Sequence, residues 1–216
     1  MKGNNNFLGL IFSQKINYPP CLIIILMLVG CNQKSFHSEN ELTTYLQDEG
    51  NHYIQKKTIN GVDFSISYRP TDLLVNQELG EVFSVSKVDS LREKYRKYLY
   101  FTLSMAKDDK ELLNSQVGNK NKFGAMVNQL AFGMENSVHL ISDQRDSIPL
   151  ADYVYPRMYG MGGNTTILFV YPRNEKLLQS DYFNFIIKDI GFATGEVGFR
   201  METKLIINEP SLNFKS

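Results

Sequence analysis

Arginine recurs beside tyrosine and proline in this chain: Tyr155-Pro156-Arg157, Tyr171-Pro172-Arg173, and the reordered echo Tyr68-Arg69-Pro70. A guanidinium is a rigid bidentate match for carboxylate or phosphate, so two brought together would hold an anion. The identical tripeptides stand 16 residues apart, on either side of the glycine-rich stretch Gly160 to Asn164. If that stretch turns a hairpin, both tripeptides reach one edge of a sheet. Tyr155, Arg157, Tyr171 and Arg173 are then the candidate ligand-binding set. The ordinary reading weighs more: proline closes strands because it lacks a ladder donor, tyrosines pack, and arginines stay solvated.

The catalytic templates fail one after another. His37, His52 and His139 are far apart in the chain and no His-Glu-x-x-His occurs, so no zinc site is expected. No Gly-x-Ser-x-Gly marks a nucleophile. The glycines of "YGMGGN" lack the Gly-Lys-Ser/Thr of a phosphate loop and read as a hairpin turn. In "KDIGFATGEVGF", Asp189 and Glu196 offer too few oxygens for calcium, and Asp189 reads as a turn-fixing side chain. Asp143, Asp146, Asp152 and Asp189 are the acids a glycan or cell-wall hydrolase would have to use, but spacing along a chain does not set the separation that decides such chemistry. No catalytic residue is assigned, and neither a cofactor nor a metal is expected.

Cys31 is the residue with the most definite chemistry. The apolar run Cys21 to Val29 is too short to span a bilayer, which needs about 20 apolar residues. Lys2 and Lys15 precede it without any acid, and small Gly30 sits just before Cys31. Leu28-Val29-Gly30-Cys31 resembles the lipobox of bacterial lipoproteins. That resemblance implies a signal peptide over 1–30, cleavage before Cys31, a diacylglycerol thioether on its sulfur and acylation, palmitate-like, of the new N-terminus. One chain holds only marginally at about 0.8 kcal/mol per buried methylene, so several chains would anchor the body to a membrane durably.

Cys21 would leave with the leader and Cys31 would be capped, so the mature body holds no thiol and no disulfide. The 23 basic and 23 acidic residues balance; losing Lys2 and Lys15 leaves 21 against 23. That charge does not favour nucleic acid.

The elements that must position these residues are read from periodicity. Residues 31–40, "CNQKSFHSEN", are polar and read as a tether, and 41–216 as a single domain. Ser38 and Glu41 have capping-box spacing ahead of a short helix. Asn60-Gly61 is a strong hairpin signal, followed by the alternation Val62, Phe64, Ile66, Tyr68. Pro70 opens a helix, "YLYFTLSMA" reads as a strand, and 122–134 as an amphipathic helix. Residues 136–144 alternate as a strand, and two pairs of strands surround Gly160–Asn164 and Gly191–Gly195. Short gaps between strands require antiparallel neighbours. The expected class is α+β, with a mostly antiparallel sheet and a few helices concentrated in the N-terminal half.

From Glu41 onward the strings "YRPTDLLVNQEL", "ADYVYPRMYGM", "DIGFATGEVGF" and "INEPSLNF" resemble lipoproteins of the Bacteroidota. The resemblance brings no assigned activity and no catalytic residues. It implies an envelope location, and the lack of acids directly after Cys31 favours the periplasmic side of the outer membrane over the cell surface. The expectation is a non-enzymatic binding or accessory protein with a membrane partner through Cys31 and a further envelope protein or small ligand. The rival is a lipid-anchored hydrolase of cell-wall or glycan material.

Overall fold

Alternating apolar positions become two antiparallel sheets laid face to face. The computed structural model describes residues 33–80, 83–157 and 161–214. The expected signal peptide over 1–30 and Cys31 lie outside the described residues. In chain order the elements are β1 (Ser35–Phe36), α1 (Glu39–Gln47), β2 (Ile54–Ile59), β3 (Val62–Arg69), α2 (Thr71–Leu79), α3 (Val85–Tyr95) and β4 (Tyr98–Lys107). Then follow α4 (Lys120–Asn128), β5 (Val138–Ser142), β6 (Ser147–Ile148), β7 (Asp152–Val154), β8 (Thr165–Pro172), α5 (Glu175–Leu178), β9 (Tyr182–Ile187), β10 (Val197–Glu202), α6 (Thr203–Ile207) and β11 (Ser211–Leu212).

The larger sheet runs β2-β3-β4-β8-β7 and the smaller β10-β9-β5-β6, both antiparallel, while β1 and β11 form a short parallel pair. The fold is thus α+β and mainly antiparallel, with two principal sheets where the sequence suggested one. Helices α5 and α6 fall in the last third, so helices are not confined to the N-terminal half.

Local chemistry explains the elements. Asn60 and Gly61 take φ of 51° and 71°, the double positive φ of a two-residue hairpin turn, and β2 pairs with β3 in register Ile59↔Val62. Ser38 Oγ accepts from Glu41 N–H at 3.2 Å, while Glu41 Oε2 reaches back to the His37 N–H at 3.0 Å. This is the expected capping chemistry, with the glutamate closing one residue early. Lys120–Asn128 is helical as expected and widens into a π turn at Gln129–Gly133.

Between the sheets lies an aromatic layer. Phe101 of β4 meets Phe183 and Phe185 of β9 at ring separations of 5.8 and 5.6 Å. Phe169 and Tyr171 of β8 meet Phe185 at 5.7 and 6.3 Å. Three of these pairs are edge-to-face and Phe101–Phe185 is tilted; an edge-to-face pair adds about 0.5–1.5 kcal/mol beyond area burial. The edge strands β2 and β10 also meet: Gln55 Nε2 and Lys57 Nζ donate to the Arg200 and Gly198 carbonyls of β10. Those bonds occupy acceptors that an open sheet edge would otherwise present.

The segment read as a tether is part of the body from Gln33 onward. Ser211 N–H donates to Lys34 O at 2.9 Å and Asn213 N–H to Phe36 O at 2.8 Å. Phe36 packs on Tyr45 with centroids 5.1 Å apart. The single aromatic among polar residues was the sign that this stretch has something to bury.

Candidate functional site

The two tripeptides do not meet. β7 pairs with β8 in register Asp152↔Val170 to Val154↔Leu168. Continuing that register sets Arg157 beside Thr165, at the turn end of the hairpin, and Arg173 beyond the opposite end. Eight residues of strand separate them, about 26 Å at 3.3 Å per residue. The conditional arginine pair does not follow from this register, because the tripeptides sit at different distances from the turn.

Each member has a separate situation. Tyr171 is fully buried in the aromatic layer, and burial holds its phenol far above the ordinary tyrosine value. Tyr155 is half-buried near the turn. Burial and the Glu111 carboxylate raise its phenol while the Arg157 guanidinium opposes them. Arg173 points inward: its Nη2 donates to buried Glu209 Oε1 at 2.9 Å and to the Tyr68 hydroxyl at 3.3 Å.

Glu209 is the centre of a buried polar cluster. Its Oε2 accepts from Tyr68 O–H at 2.8 Å and from Thr71 N–H at 2.9 Å, and its Oε1 accepts from Thr71 Oγ1 at 2.9 Å. Beside it, Asp72 accepts two bonds from Arg92, at 2.8 and 2.6 Å, and one from Leu212 N–H at 2.8 Å. Two adjacent residues, Thr71 and Asp72, thereby hold the C-terminal strand down. A buried acid with this many donors is already satisfied, and the cluster fastens the chain end. Burial, then the Glu209 charge, pushes the Tyr68 phenol well above its ordinary value.

Arg69, in the echo tripeptide, has the opposite surroundings. Alternation along β3 sends Tyr68 to the aromatic layer and Arg69 to the other face of the larger sheet. Cross-strand register assembles that face in rows: Ile54, Ser67 and Thr102; Lys56, Ser65, Ser104 and Thr166. α1 and the start of α2 border it. They enclose a groove of about 320 Å³ lined by Glu39, Thr43, Leu46, Ser67, Arg69 and Thr102, with Ile54 and Leu73 supplying further apolar wall. That volume is at the lower end of the range for small-molecule sites.

Two groups in this groove lack partners. Arg69 Nε and Thr102 Oγ1 are both buried and meet no hydrogen-bonding group among the described residues. Arg69 and Thr102 are diagonal neighbours on one sheet face, since Arg69 pairs with Tyr100 and Ser67 with Thr102. Burial lowers the Arg69 guanidinium below the usual arginine range and the Glu39 carboxylate opposes that. Glu39 itself is held by Asn76 Nδ2 at 2.6 Å. Buried donors without acceptors are uncommon, and a ligand oxygen would satisfy this one. The alternation of "VDFSISYR" and "YLYFTLSMA" was the signal in the sequence, because it sends serine, threonine and arginine to one face.

The candidate acids are dispersed. Asp143 Oδ2 accepts from Asp181 N–H at 3.0 Å at the start of β9. Asp189 lies past the other end of that strand and accepts from Gly191 and Phe192 N–H, both at 2.9 Å. Burial pulls Asp189 upward, but the backbone donors outweigh it and hold the carboxyl below its usual range. Asp189 is thus a turn-fixing side chain. Asp146 closes the β5–β6 turn through its backbone, its carbonyl accepting from Ser142 N–H at 2.9 Å, and exposed Asp152 caps the Tyr153 N–H at 2.8 Å. A second concavity on the hydroxyl-lined face, about 390 Å³, has Asp63 and Asp109 on its wall with Lys56, Ser65 and Ser104. Among the described residues no three His, Cys, Asp or Glu side chains gather as a metal site, and no helix is long and apolar enough to cross a membrane.

The chain matches no protein-family model, no curated protein and no solved structure. Its site is read from its own chemistry.

Proposed function

We propose that the chain is a lipid-anchored cell-envelope protein that binds a small carboxylate-bearing ligand in the Arg69 groove. In this reading Cys31 carries the lipid and the body faces the periplasm from the outer membrane. The observation that carries the binding role is the buried Arg69 Nε without an acceptor, beside the unpartnered Thr102 hydroxyl in an open groove. Leu46, Ile54 and Leu73 suit a short apolar stem, and Ser67 and Thr102 suit an amide or hydroxyl on it. An envelope protein that presents a free C-terminal carboxylate has the same chemistry.

The test uses N-acetylleucine as probe and its methylamide as the uncharged control, with calorimetry on the purified mature protein. The carboxylate binds and the methylamide does not. Arg69→Ala weakens binding at least tenfold, since a charge-assisted hydrogen bond is worth about 1.5–3 kcal/mol. Equal affinity of wild type and variant would remove the groove as the site. For the anchor, Cys31→Ser abolishes incorporation of labelled fatty acid; continued labelling would refute the lipobox reading.

Asp63 and Asp109 on one wall favour a second reading, the anchored hydrolase. Asp63→Asn and Asp109→Asn would each abolish release of soluble fragments from purified cell wall. Absence of any release by the wild type disposes of it.

A further inference from the structure

We infer that this face of the body, around Gln33 and the end of α6, rests directly on the headgroup layer of the bilayer that holds the lipid. The inference rests on lipidation of Cys31 as proposed above. It comes from how close in sequence Cys31 stands to residues held to the body. Ser35 and Phe36 pair in parallel with Ser211 and Leu212. Gln33 Nε2 donates to Glu209 O at 2.9 Å, and Ser35 Oγ donates to Asn213 Oδ1 at 2.8 Å. Their partner strand β11 is fixed in turn by the buried carboxylates of Glu209 and Asp72.

Only Asn32 therefore separates Cys31 from a residue locked to the body. Two residue steps span at most about 7 Å. A free tether of ten residues would instead allow roughly five times that reach. An acylated Cys31 lies at the membrane interface, so a body held this short must touch the headgroups.

The neighbouring surface suits the contact. Ile207, at the end of α6 and two residues before Glu209, is 55 % exposed although large and apolar. Lys204 stands one turn earlier on the same short helix, and Lys34 lies beside the locked strand over the Tyr45 ring at 4.3 Å. An apolar side chain flanked by lysines is the composition that seats at a headgroup boundary.

Cys31 would be blocked by lipid, so an introduced cysteine is the sole reactive thiol of the mature protein. The acylated full chain, purified from membranes, is labelled with a fluorophore at Ile207→Cys, or at Glu196→Cys as a control. Exposed Glu196 precedes β10, at the end remote from α6. Each is reconstituted in phosphatidylethanolamine–phosphatidylglycerol vesicles containing headgroup nitroxide lipid, and acylation is verified by mass. The Ile207 label is quenched at least threefold more than the Glu196 label. Ten Gly/Ser residues inserted after Asn32 abolish the difference. Equal quenching in acylated protein overturns the contact and leaves the anchor standing, whereas a mature chain without acyl mass on Cys31 overturns both.

Discussion

Arg173 and Arg69 both follow a tyrosine near the same end of the larger sheet, yet one is committed to folding and the other is not. Arg173 lies on the inner side, where its Nη2 donates to Glu209 and Tyr68, although its Nε, like that of Arg69, meets no acceptor among the described residues. Arg69 lies one layer away, on the hydroxyl-lined face, with a buried Nε that meets no acceptor. The lesson is that a guanidinium's role follows from which face of the sheet it leaves. Both have a tyrosine and a proline close by in sequence, but Arg69 stands one residue after its tyrosine and Arg173 two.

Removing the acid is the strongest way to break the contrast. Glu209→Ala leaves Arg173 without its partner in a largely buried place, and losing one member of such a pair costs about 3–5 kcal/mol. For a domain of this size the thermal midpoint falls by roughly 10 °C or more, measured by circular dichroism. Adding Arg173→Ala to that variant costs little further, because the arginine's interaction has already gone. A double variant much less stable than Glu209→Ala would mean that Arg173 has an independent role.

Alkali separates the two faces next. Tyr68 and Tyr171 on the inner face have phenols raised far above the unfolded value near 10. Their protonated forms are favoured by the fold, so the stability these two phenols contribute is constant below pH 10 and declines as pH rises above it. Each contributes about 1.4 kcal/mol of loss per pH unit until its folded value is reached. Urea unfolding between pH 8 and 12 records this slope, and Tyr68→Phe reduces it by one tyrosine's share. An unchanged slope would disconnect Tyr68 from the effect.

The smallest stability effect is expected at Arg69. Arg69→Ala lowers the unfolding free energy measured in urea by no more than about 0.5 kcal/mol, because no ion pair is lost, while carboxylate affinity falls tenfold or more. A large loss of stability with unchanged affinity would invert the comparison and make Arg69 the structural arginine.

Much of the body was legible from the chain. The Ser38–Glu41 spacing marks the start of α1, Asn60-Gly61 makes the first hairpin, and the alternation from Val62 to Tyr68 gives the buried face of β3. The strings "YRPTDLLVNQEL" and "INEPSLNF", quoted for their resemblance, prove to touch through Thr71, Asp72, Glu209 and Leu212. The placement of the tripeptides was not legible. Tyr155 and Tyr171 have identical neighbours, and only the register of β7 on β8 shows that one lies at the turn and the other at the far end.

Sequence alone determined the faces of the strands and the turns, since these follow from backbone period and from glycine and asparagine conformations. Tertiary structure alone decided which arginine is paired, because Tyr68 and Glu209 are 141 positions apart and meet only when sheet and chain end pack together. Local signals carry no information about such a distance. The layer that a side chain enters, and the partner already waiting there, are set by packing.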